Sequence, residues 1–192
     1  MNCTDAGMIC VHLEVNPFEG SGHGTYKGCI APSSCTPLIL TMSFTTDRQV
    51  RSNLACCSTS GCNDQLALSV PAASSLKNGV YCPACANQNK SLCEGQVDLP
   101  CTGAEETCIS LEGVSIGKRD HNFSMRGCAT PSACTLKKND LVSFEGDVYT
   151  LTRNVTCGNR GSLDALPSLA TIFFQVMVGL LFCPSLVEGT PS

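Results

Sequence analysis

"CCSTSGCND", Cys56 to Asp64, sets two cysteines side by side, a third five positions on and an Asn directly after it. Adjacent Cα atoms lie about 3.8 Å apart, closer than an unstrained disulfide prefers, so Cys56 and Cys57 are expected to reach different partners. The stretch therefore reads as a knot where two loops are tied off. It occurs once, and the chain around it is repeated.

"CTDAGMIC" (Cys3 to Cys10) is answered by "CTGAEETC" (Cys101 to Cys108), and "KGCIAPSSCT" (Lys27 to Thr36) by "RGCATPSACT" (Arg126 to Thr135). "NLAC", ending at Cys56, is answered by "NVTC", ending at Cys157. Two copies of one cysteine-bearing module thus lie in tandem. Between them "LSVPAASSLKNG", Leu68 to Gly79, is rich in Pro, Ala, Ser and Gly and has no sustained apolar period, which marks a linker.

Sixteen of the 192 residues are Cys, against seven Phe, three Tyr and no Trp. Large apolar side chains are too few for an ordinary core, so cross-links are expected to hold the fold. Cysteine at this density belongs to oxidising compartments, where each bridge stabilises by roughly 2–4 kcal/mol, chiefly by restricting the unfolded chain. The expected localisation is extracellular. Four glycosylation sequons, at Asn2, Asn89, Asn122 and Asn154, agree with it. A net charge of −4 argues against a nucleic-acid partner, which rewards a basic face.

Within each copy the runs "ICVHLEV" (Ile9 to Val15), "LILTMSF" (Leu38 to Phe44), "TCISLEGVSI" (Thr107 to Ile116) and "LVSFEGDVYTL" (Leu141 to Leu151) alternate Val, Ile, Thr, Phe and Tyr with polar residues. None carries a helical stripe, so the expected module is antiparallel β with loops leaving a cysteine knot.

The series Cys82-x2-Cys85-x7-Cys93-x7-Cys101-x6-Cys108-x19-Cys128-x5-Cys134-x22-Cys157 resembles the Ly6/uPAR three-finger domain, and Cys56-Cys57-x4-Cys62-Asn63 resembles that family's closing signature. More narrowly, "YCPACANQNKSLCEG", "CTGAEETCISLEG" and "FSMRGCATPSAC" are similar to the second domain of gamma-type phospholipase A2 inhibitors and their two-domain Ly6/PLAUR relatives. The resemblance implies an all-β, small, disulfide-rich fold of two tandem three-finger, snake-toxin-like domains. The first would occupy residues 1–67, a linker 68–80 and the second 81–158, with a hydrophobic tail over 159–192.

Carried onto matching positions, the family pairing implies Cys3–Cys29, Cys35–Cys56 and Cys57–Cys62 in the first domain. In the second it implies Cys82–Cys108, Cys85–Cys93, Cys101–Cys128 and Cys134–Cys157. Asn63 would hydrogen-bond across the fingers to anchor the closing loop; the plainer reading is a turn residue after a small loop. Cys10 has no expected partner, because the first copy has no counterparts of Cys82, Cys85 and Cys93. The expectation is a chain truncated at its N-terminus, lacking a first finger and a signal peptide. The second copy lacks the closing signature, "GNRGSLDALPSL" standing in its place.

The tail "ALPSLATIFFQVMVGLLFCPSLV", Ala165 to Val187, has no charged residue. Leu166 to Cys183 would span roughly 27 Å as a helix, close to the hydrocarbon thickness of a bilayer. Asn159, Gly161 and Ser162 are candidate attachment sites for a GPI anchor, and no Lys or Arg follows to stop transfer. A membrane span and an aberrant end are the competing readings; Cys183, which also has no expected partner, lies inside this segment.

Other chemistries find little support. Cys82-Pro83-Ala84-Cys85 has zinc-like spacing, yet no second such pair or His pair follows, and a redox pair would need a thioredoxin-like βαβ context. Structural bridges are expected instead, with no metal and no cofactor. His12, His23 and His121 stand near no nucleophile elbow or HExxH motif and are expected at the surface. Glu105 and Glu106 are neighbours expected in a solvated loop. "FEGSGHG", Phe18 to Gly24, reads as a fingertip rather than a phosphate cradle. Phe18, Phe44, Phe123 and Tyr149 could anchor a protein contact or cover the thin core.

A non-enzymatic binding protein is the resulting expectation, secreted or GPI-anchored at the plasma membrane. The resemblance implies an extracellular protein ligand, with secreted phospholipase A2 as the leading candidate. The alternatives are a GPI-anchored receptor or adhesion protein and a truncated, non-functional isoform.

Overall fold

The computed structural model describes residues 3, 7–16, 24–88, 93, 97–117, 121–144 and 147–158. The fold over these residues is all-β and disulfide-rich. In the N-terminal half, β1 (Ile9–Asn16) pairs with β2 (Gly24–Ile30) on one side and β4 (Arg48–Cys57) on the other, and β4 pairs with β3 (Leu38–Thr45). The C-terminal half repeats the plan. β5 (Lys77–Gln88) pairs with β6 (Val97–Thr102), β7 (Thr107–Ser115) with β8 (Asn122–Ala129), and β9 (Leu141–Phe144) with β10 (Asp147–Leu151), while the short β11 (Thr156–Gly158) adds to β7.

The run Leu141 to Leu151, one stretch by its β-forming pattern, is two antiparallel strands, β9 and β10, paired from Phe144 opposite Asp147 outward. The repeat itself is visible in backbone angles. After β2 a 3-10 turn begins at Pro32 behind Ala31 (φ −65°, ψ 143°), and after β8 another begins at Pro131 behind Thr130 (φ −64°, ψ 144°). Proline suits the first turn because its missing N–H has no acceptor there and its φ is already set.

The halves are joined edge to edge. β3 meets β8 with Met42 opposite Ala129 and Ser43 opposite Cys128, so the strand path runs β2-β1-β4-β3-β8-β7-β10-β9 through both. β5 pairs with a neighbouring stretch of β8, Cys85 opposite Arg126 through Gln88 opposite Phe123. Gly127 makes the joint sterically feasible: a Cβ there would run into the backbone carbonyl of Ser43 and Cα of Phe44.

One buried cluster crosses the joint. Val11, Leu13, Met42, Phe44, Val50 and Leu54 of the N-terminal half pack with Ile109, Leu111, Phe123, Met125, Tyr149 and Leu151. Neither half has many large apolar groups, and the joint pools what each has, removing both inner faces from water. Phe44, Phe123 and Tyr149 are each 1 % exposed, and the Phe123 and Tyr149 rings tilt at 54° with centroids 4.5 Å apart. These three rings form core, not a contact surface; Phe18 lies outside the described residues.

Candidate binding surface

The disulfides set the frame from which the hairpins project. The structure pairs Cys3–Cys29, Cys35–Cys56, Cys57–Cys62, Cys82–Cys108, Cys85–Cys93, Cys101–Cys128 and Cys134–Cys157, the same seven pairs that the family resemblance implies. Cys56 and Cys57 point to different partners, as their adjacency requires. Cys10 is not among the bridged residues; its buried Sγ lies 3.0 Å from Cys3 Sγ. The sulfurs of Cys82, Cys101 and Cys128 lie within 4.8 Å of one another, but each is already half of a disulfide and so offers no thiolate to a metal.

Asn63 is fully buried and its Nδ2 donates to the Val11 carbonyl at 3.0 Å, which fastens the small Cys57–Cys62 loop back onto β1. Of the sequon residues, Asn154 is exposed and its Oδ1 accepts the Lys138 N–H at 3.0 Å, while Asn122 is half-buried at the start of β8 opposite Val114. Asn2, Asn89, His23, Cys183, Asn159, Gly161 and Ser162 lie outside the described residues, as does the hydrophobic tail. Among the described residues no helix is long and apolar enough to cross a membrane.

Two readings need correction. His121 is exposed, but His12 is only 2 % exposed, with Nε2 2.7 Å from Glu14 Oε1. It sits on β1, where Cys10, Val11, His12 and Leu13 are buried in succession, so both faces of the strand are covered there and alternation marks no wet face. Glu106 is exposed, whereas Glu105 is buried, its Oε1 accepting from Ser43 Oγ at 2.9 Å and Gln49 Nε2 at 3.1 Å across the joint. Burial pushes the Glu105 carboxyl above its ordinary range, against the opposing pull of the Ser43 and Gln49 hydrogen bonds and the nearby Thr41 hydroxyl and Thr102 backbone.

Two features of the outer surface suit contact with another molecule. On β7 and just beyond it, Val114 and Ile116 stand two residues apart, both large, apolar and exposed, and the Ile116 N–H donates to the Val148 carbonyl of β10 at 3.0 Å. On the β5–β6 hairpin Tyr81 and Val97 are likewise exposed. The second feature is a cleft of about 880 Å³ at the joint, walled by Ser43, Gln49 and Arg51 of the N-terminal half, Ser74 of the connecting segment and Lys77 and Thr102 of the C-terminal half. Its walls mix hydroxyls, the Gln49 amide and charged groups with the apolar Ala73, Leu99 and Pro100, and carry no aromatic ring. It has the character of an open seam between the two halves.

Nothing in the local sequence announces the cleft, which needs three separated segments to exist. The one local trace of the joint is the Gly of "RGC", whose counterpart in "KGC" serves no such contact.

The sequence is similar to those of several known proteins. The sequence model of the u-PAR/Ly-6 domain matches residues 1–65 and 78–163. Rat protein RoBo-1 is 34 % identical over 111 residues, 58 % of this chain and 45 % of its own length. A phospholipase A2 inhibitor of Gloydius brevicaudus siniticus, of the gamma type, is 25 % identical over 149 residues, 77 % of this chain and 74 % of its own. The urokinase plasminogen activator surface receptor of Bos taurus is 33 % identical over 83 residues, 42 % of this chain and 24 % of its own. Among solved structures, mouse TEX101 aligns over 82 % of this chain and 84 % of its own at 22 % identity and a TM-score of 0.33. With both halves of the chain matched, the protein belongs to the u-PAR/Ly-6 domain family.

Proposed function

We propose that this chain is an extracellular, non-catalytic binding protein that occludes a protein ligand, with a secreted phospholipase A2 as the ligand. The reading is carried by the similarity to the Gloydius inhibitor, which runs through both halves and covers 74 % of that protein, rather than through one half alone. The exposed apolar positions at Val114, Ile116, Tyr81 and Val97 supply anchors of the kind that dominate protein contacts. In this reading the modules span 1–67 and 81–158, the linker 68–80, and Asn154 is a glycosylated position.

The test uses the full chain, secreted from cells with its disulfides intact and titrated against secreted phospholipases A2 hydrolysing phospholipid vesicles. Saturable loss of hydrolysis together with direct binding in the absence of vesicles supports the reading; absence of both overturns it. A loss of hydrolysis without direct binding would mean coverage of the vesicle, and also overturns it.

A cell-surface receptor or adhesion protein held by a GPI anchor is the second reading, favoured by the charge-free stretch Ala165 to Val187. Phosphatidylinositol-specific phospholipase C separates the two. Release of the protein with a new C-terminus at Asn159, Gly161 or Ser162 supports the anchor, and spontaneous secretion counts against it. Retention inside the cell would instead mark a non-functional isoform.

A further inference from the structure

We propose that Glu105 is a proton-operated latch between the two halves of the chain: its neutral carboxylic acid holds the β6–β7 loop in its seat against β3 and β4, and its carboxylate releases that loop.

The seat is built from both halves. Glu105 sits between β6 and β7, its backbone N–H donating to the Thr102 carbonyl at 3.1 Å and its own carbonyl accepting from Asn78 Nδ2 at 3.0 Å. Its side chain crosses to the N-terminal half, where Oε1 meets Ser43 of β3 and Gln49 of β4. Oε2 is buried with no hydrogen-bond partner. A carboxylate spreads its charge over both oxygens, so a bare, buried Oε2 is far more costly in the ionised form than in the acid.

Charged side chains on the surrounding elements do not offset that cost. β3 carries none, β4 carries Arg48 and Arg51, β5 Lys77, β6 Asp98, and the loop itself Glu106. The groups that bear on Glu105 are instead the neutral Ser43, Gln49 and Thr41 side chains and the Thr102 backbone. Ionisation therefore demands water, and the route for it is at hand: Ser43, Gln49 and Thr102, which surround Glu105, also wall the open cleft. Water drawn in from the cleft competes for the hydroxyl and amide that tie the loop to β3 and β4.

The sign follows from the direction of the shift. A carboxyl that binds its proton more tightly in the closed state contributes most below its ordinary value of about 4.3. That contribution falls as the pH rises from there to the raised closed-state value, and is constant above it. The joint is consequently tightest in acid and loosest above the raised closed-state value.

Two readouts on the full, disulfide-bonded chain test this. Carbon NMR of the labelled carboxyl follows Glu105 directly. Hydrogen exchange, corrected for intrinsic rate, follows the joint through the Thr130 N–H, which donates to the Thr41 carbonyl, and the Thr41 N–H, which donates to Thr130 Oγ1. The expected result is a Glu105 titration above the usual glutamate range. Protection of both amides should fall over the same interval, by about tenfold per pH unit of displacement. Glu105→Gln should hold protection level across that interval. An ordinary titration for Glu105, or the same protection profile in wild type and Glu105→Gln, overturns the proposal. Should Glu105→Gln fail to fold, Ser43→Ala decides: deleting a donor to the carboxylate should move the NMR and exchange midpoints upward together. An exchange midpoint that stays put while the NMR midpoint moves overturns the latch.

Discussion

β2 and β8 are the same strand of the repeat in two settings. Both carry a basic residue followed by Gly-Cys and lead into a 3-10 turn at Pro32 or Pro131. β8 is paired along both edges, with β7 on one side and β5 and β3 on the other. β2 pairs with β1 alone among the described residues. The consequence is visible in side chains: Phe123 and Met125 of β8 are buried, while the matching positions of β2 hold exposed Gly24 and half-buried Tyr26. A shared cysteine frame therefore specifies the backbone path, and the residues between the cysteines decide which copy of this strand enters the shared core.

Breaking the buried copy should cost most. Phe123→Ala should lower stability by about 3–5 kcal/mol in urea unfolding with disulfides intact, since it empties a core site against Tyr149. Tyr26→Ala, at the matching edge of β2, should cost well under half as much; equal losses would show that the two strands share the core evenly. The glycine pair gives a sharper contrast. Gly127→Val should destabilise by about 3 kcal/mol because the new side chain meets the Ser43 backbone, whereas at Gly28 it meets mainly the Tyr26 ring, which can swing aside. Unfolding midpoints that move together for both glycines would refute the steric account of the joint.

A smaller effect distinguishes the two closing devices. Asn63→Ala should cost about 1–2 kcal/mol by leaving the Val11 carbonyl short of a donor, read as a lower midpoint at unchanged denaturant slope. The C-terminal half closes through β11 on β7, backbone to backbone, and among the described residues has no equivalent side chain to remove. Least of all, Arg153→Ala breaks an exposed pair with Glu112 and should change stability by less than about 1 kcal/mol.

Much of this fold was legible in the sequence because period-2 alternation and cysteine spacing are local signals. Ile9 to Val15 and Leu38 to Phe44 fall within β1 and β3. β2 and β5 escaped that reading because Gly, Pro, Asn and Cys interrupt "GTYKGCI" and "KNGVYCPACANQ", and their pairing partners, not their own side chains, hold them extended. Pooling of the two cores was hidden for a related reason: composition counts large apolar groups, but not whether two half-cores face each other. Glu105 was illegible altogether. Its seat comes from Ser43, 62 positions away, and Gln49, 56 away, so nothing near "AEET" distinguishes the buried glutamate from its wet neighbour.

The edge-to-edge joint also sets a clock during synthesis. Thr41 finds its partner Thr130 only 89 residues downstream, an interval of roughly 4 to 18 seconds at ordinary elongation rates. Throughout that interval "LILTMSF" is a charge-free, β-forming stretch with one edge unpaired, the kind of segment on which nascent chains adhere to one another. A ribosome stalled before Arg126 would present that edge indefinitely, so the demand this chain places on chaperones is greatest midway through translation and ends when β8 emerges.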